Sequence, residues 1–113
     1  MSDFLPAAVE AARVKRAFLN LAASATQTSL VAAVTAKKIR VLSVYAVAGG
    51  TATNLTFNSA TTVISPLLAN AANGGIALSH NPGGWFETVA GEALTVTSGA
   101  GSTTGLMVNY IEV

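Results

Sequence analysis

The sequence has no cysteine, which removes disulfides, thiolate metal sites and a thiol nucleophile together. Charge is nearly as scarce. Only 10% of residues are Asp, Glu, Lys or Arg, against about 25% in an ordinary soluble domain. There is a single histidine, His80, and a single tryptophan, Trp85. No lysine lies beyond Lys38, and no charged residue lies between Val41 and Phe86. Long apolar runs are also missing. The uncharged stretch is broken by Gly49-Gly50, Pro66 and Gly74-Gly75, so no window offers the roughly 18 consecutive apolar residues of a spanning helix. The first residues carry Asp3, Glu10 and Arg13 where a signal peptide needs an apolar core. No membrane partner is expected.

These scarcities narrow the chemistry. One histidine and five carboxylates with no H-x-H or H-E-x-x-H spacing do not make a metal site. Serines are plentiful, but no G-x-S-x-G elbow supplies a nucleophile with its base and acid. The glycine stretches lack the Gly-Lys-Ser/Thr of a phosphate loop. An enzyme and a cofactor are therefore not expected. All six basic residues fall in Arg13, Lys15, Arg16, Lys37, Lys38 and Arg40. A formal net charge of +1 is too small an excess for nucleic-acid binding. A solvated strand end accounts for the basic residues, and so does pairing with an acidic surface on a partner.

The 51% hydrophobic fraction includes 22 alanines, so the chain is poor in charge rather than rich in large apolar groups. Its surface has to be built from Thr, Ser, Asn, Gly and Ala. Net charge is what keeps monomers apart, and self-association is the expectation. At 113 residues the chain has the size of one domain.

Residues 1–12 read as a short arm, helical or extended, with Phe4 and Leu5 ahead of Pro6. Residues 13–113 read as strands and turns. The runs 14–22, 28–34, 38–48, 53–58, 61–65, 75–79, 85–89, 93–98 and 105–113 alternate or are continuously apolar. Turn formers such as Asn73-Gly74-Gly75 and Asn81-Pro82-Gly83-Gly84 separate them. The expectation is an all-β fold, an antiparallel β-sandwich of jelly-roll type.

The strongest strand, 38–48, puts Ile39, Val41, Tyr45 and Val47 on one face. Leu42 and Val44 then fall on the other, apolar on both sides. A subunit interface through Leu42 and Val44 explains that, and so does cover by the N-terminal arm. Trp85, next to Phe86, either caps the sandwich or offers a platform for a sugar ring.

The segments VKRAFLNLAAS, LVAAVTAKKIRVLSVYAVAGG, ANGGIALSHNPGGWFETVAGEALTV and LMVNYIEV resemble a group of small structural proteins of tailed phages. The resemblance spans about residues 14–113. It implies a virion component made in the host cytoplasm: a head decoration or cement subunit, or a fibre or tail module. As a decoration protein it would form homo-oligomers, usually trimers, and bind major capsid subunits or another virion protein. The arm residues Phe4 and Leu5 and the basic residues Arg13, Lys15, Arg16, Lys37, Lys38 and Arg40 are then the expected contacts with the particle. As a fibre or tail module it would bind a receptor or glycan, with Trp85 as the platform.

Overall fold

A computed structural model describes residues 13–113. They form ten strands: β1 (Lys15–Leu21), β2 (Thr28–Val31), β3 (Ile39–Ala48), β4 (Thr53–Ser59), β5 (Thr62–Val63), β6 (Leu68–Asn70), β7 (Gly75–Leu78), β8 (Phe86–Glu87), β9 (Leu94–Ser98) and β10 (Thr104–Glu112). All pairings are antiparallel. The front sheet runs β1-β10-β3, with β7 and β8 sharing the far edge of β3. The back sheet runs β2-β9-β4, with β5 and β6 sharing the far edge of β4. If β5/β6 and β7/β8 each count as one interrupted strand, the order is that of a jelly roll. The expected arm, with Phe4 and Leu5, lies outside the described residues.

Period-two alternation selects the core face of nearly every strand. Leu21, Val41, Val44, Leu106 and Val108 of the front sheet meet Leu55, Phe57, Leu94 and Val96 of the back sheet. Each such fully buried side chain contributes about 1.5–3 kcal/mol relative to leaving it exposed. Polar residues complete the inner face at its margins. Ser59 is fully buried, with its hydroxyl accepting from the Val89 amide at 2.9 Å. The Thr88 hydroxyl accepts from the Ile39 amide at 2.9 Å.

One strand departs from simple alternation. Val41 pairs with Tyr110, and Ser43 pairs with Asn109, so Leu42 is an extra residue in β3. Such a bulge shifts every following side chain to the opposite face. Ile39 and Val41 point inward before it. Val44, Ala46 and Ala48 are buried after it, while Tyr45 turns outward. The loop between β7 and β8 meets the bulge, with the Asn81 amide donating to the Leu42 carbonyl at 2.9 Å and Trp85 to that of Val41 at 2.8 Å. The expected face of Ile39, Val41, Tyr45 and Val47 is thereby corrected. Val44 belongs to the core cluster between the sheets, and Leu42 is buried without belonging to that cluster. Neither Leu42 nor Val44 presents a free apolar surface, so the subunit interface expected there does not stand.

Candidate interaction surface

The outer face of the front sheet carries what the core does not use. In β1, Ala17, Leu19 and Leu21 face the core, which leaves Arg16, Phe18 and Asn20 outside. In β10, Leu106 and Val108 are inside, with Gly105, Met107 and Asn109 outside. The bulge brings Ser43, Tyr45 and Val47 to the same outer face. Cross-strand register then aligns rows that run across the sheet. Phe18 pairs with Met107, Met107 with Tyr45, and Tyr45 with Ala77. Phe18 is 76% exposed and Tyr45 54%. Neighbouring groups in such rows lie about 4.5–5.5 Å apart at Cβ, so this row is one contiguous apolar ridge.

The rows on either side differ from it. Toward one end lie Asn20, Gly105, Val47 and Gly75, in register across β1, β10, β3 and β7. This row is low, with two positions that have no side chain. Toward the other end lie Arg16, Asn109 and Ser43, where the Asn109 amide donates to the Ser43 hydroxyl at 2.9 Å.

Beyond them the sheet ends in a charged cluster. Glu87 receives Arg40 at 3.4 Å and Lys38 at 3.6 Å. Across the sheet Lys15 meets Glu112 at 2.9 Å. The Glu112 carboxylate raises the Lys15 pKa above its ordinary 10.5, chiefly through this hydrogen bond and then through charge attraction. The basic residues therefore do not form one bare patch, because chain reversal inserts Glu87 and Glu112 among them. Arg13, Arg16 and Lys37 have no carboxylate partner among the described residues. Exposed pairs of this kind contribute little to stability, and salt screens them.

Trp85 lies in the loop entering β8 and is 44% exposed. Its indole N–H donates to the Ser79 carbonyl at 2.8 Å, and its backbone amide is tied to Val41. The ring is thus fixed and partly open. Phe86 turns the other way and reaches Phe57 across the core. His80 is exposed in the same loop, and no three His, Asp or Glu side chains gather among the described residues.

Sequence reasoning missed Phe18, Met107 and Tyr45 as a surface. A signal was present for two of them: Phe18 stands between Arg16 and Asn20, and Met107 shares its phase with Asn109. Large apolar groups in an otherwise polar phase are the informative exception to burial. For Tyr45 the bulge hid the phase. No protein-family model matches the chain, and no curated protein or solved structure matches it either.

Proposed function

We propose that this chain is a non-enzymatic structural subunit of a tailed-phage particle, a head decoration protein that acts as a homo-oligomer bound to major capsid subunits. The observation that carries the reading is the apolar ridge of Phe18, Met107, Tyr45 and Ala77 on the outer face of the front sheet. Contiguous exposed apolar surface of this kind marks interaction sites. The low charge of the chain favours the same reading, because little repulsion opposes assembly. The jelly-roll order is one that capsid and lectin domains use, and the segments quoted above resemble phage structural proteins. Repetition of modest contacts by symmetry would supply avidity on a capsid. Basic groups near the sheet end, Arg13, Arg16 and Lys37, are available for acidic capsid surface, a contact that salt would weaken.

Two measurements test this. Light scattering on the purified full chain should give an integral multiple of the 11.3 kDa subunit mass. The chain should also sediment with phage heads lacking their own copy and raise the temperature at which they rupture. A monomer at all concentrations, with no binding to heads, would sink the proposal.

The fixed, partly open ring of Trp85 favours a second reading, a glycan-binding module of a tail or fibre. A sugar stacking on it would shift the tryptophan emission, and titration with host surface glycans separates the two.

A further inference from the structure

Glycine inside a paired strand is less stable than alanine there, because it loses more backbone freedom on folding, and it often marks a close approach by another backbone or a ligand. Two glycines sit in the low row of the front sheet. Gly75 is explained by the chain itself, since a Cβ there would lie 2.0 Å from the Ala46 carbonyl oxygen. Gly105 is not. It is laddered between Asn20 and Val47, and its φ is not positive. A Cβ on it would meet only the Asn20 side-chain oxygen, at an ordinary 3.5 Å. Nothing within the described sandwich requires the bare position.

The geometry points to a second copy of this chain as the occupant. We propose that copies pack through the outer faces of their front sheets, with Phe18 of one copy seated over Gly105 of the next. The inference rests on the homo-oligomer reading above and names the surface that would form it. The face carries both halves of the fit: a ridge led by the 76% exposed Phe18, and beside it the low row of Asn20, Gly105, Val47 and Gly75.

Charge allows the approach, because the two rows contain no ionisable group except the Tyr45 phenol. Arg16 stands one row away, and the Lys38, Arg40 and Glu87 cluster stands at the end of the sheet. Size suits a modest contact. Seven residues in each of β1, β10 and β3 and the four of β7, spaced about 4.8 by 3.3 Å, cover about 400 Å² in projection. Two such faces bury about 800 Å² together, small for a specific interface, so repetition around a symmetric oligomer would have to reinforce it.

The test compares full-length wild type with Gly105→Leu and Phe18→Ser by light scattering across a concentration series, with circular dichroism melts to verify folding. Both side chains point away from the core, so both variants should fold, and both should raise the dissociation constant of the oligomer at least tenfold. The chain lacks cysteine, so a second measurement is direct. Phe18→Cys and Gly105→Cys, prepared separately and mixed under oxidation, should give a disulfide-linked heterodimer in higher yield than either alone.

A wild-type oligomer that survives both substitutions and yields no preferential heterodimer would overturn this interface while leaving the homo-oligomer reading intact. A monomeric wild type would overturn both. If residues 1–12 of the same chain cover the ridge instead, wild type will be monomeric and Gly105→Leu will lower only the melting temperature, which also refutes the proposal.

Discussion

Phe57 of β4 and Phe86 of β8 meet across the sandwich with ring centroids 5.1 Å apart and planes tilted by 33°. That spacing is within the range of favourable aromatic pairs, and such a pair contributes about 0.5–1.5 kcal/mol beyond its buried area. It also ties a two-residue strand of the front sheet to the centre of the back sheet. Phe57→Ala should therefore cost about 3–5 kcal/mol, as large aromatic truncations in cores do. Phe86→Ala should cost less, because Phe86 is only half-buried. In addition it should release β8 and shift Trp85 emission to the red. Urea unfolding followed by tryptophan fluorescence measures both effects, and an unshifted spectrum in Phe86→Ala would show that β8 holds without this contact.

Most strands were legible in the sequence because alternation and turn chemistry agreed. The runs around Phe57, Val96 and Val108 put their apolar phase on the core, and Asn73 takes the positive φ its Asn-Gly-Gly context invites. The short β6 escaped notice, since three residues after Pro66 carry no periodic signal. β3 misled because a bulge is set by pairing with a strand more than sixty residues away, and local pattern cannot register it. The consequence is measurable at two adjacent residues. Val44→Asp should prevent folding or cost more than about 3 kcal/mol by burying an unpaired charge. Tyr45→Ser should leave the unfolding free energy of the isolated subunit within about 0.5 kcal/mol, as ordinary surface substitutions do. Chemical denaturation below the concentration of assembly is the measurement, and the reverse ranking would restore the unbulged phase.

The candidate surface was less legible than the fold for the same reason. Phe18, Met107 and Tyr45 lie far apart in sequence and become one ridge only through the registers of β1, β10 and β3. The basic residues were visible as a cluster in sequence, yet their neutralisation by Glu87 and Glu112 depends on the same long-range pairing.

Ser59 links the two sheets' margins through one hydroxyl. It donates to the Glu92 carboxylate at 2.5 Å and accepts from the Val89 amide at 2.9 Å. Ser59→Ala removes this acceptor from the Val89 amide in a part-buried site, which should cost about 0.5–1.5 kcal/mol. Amide exchange at Val89 should accelerate more than at residues of the central strands. Equal protection in the variant would mean that the 88–92 segment is held by its backbone contacts alone.

Lys15 and Glu112 join the outer strand β1 to the end of β10, and their pairing predicts an alkaline signature. The folded-state pKa of Lys15 is raised above 10.5 by the Glu112 carboxylate, while the unfolded chain keeps the ordinary value. The folded state therefore holds the proton more tightly than the unfolded state does. The pair's contribution is complete below 10.5 and is lost as pH rises through the folded value. Both side chains are solvent-accessible, so salt should diminish the effect. NMR titration of the Lys15 side chain should give a midpoint above 10.5 that falls in Glu112→Gln. The pH dependence of unfolding above 10.5 should flatten in Lys15→Gln. If the Lys15 midpoint is unmoved in Glu112→Gln, the carboxylate is not the cause of the shift and β1 is held to β10 by its backbone ladder alone.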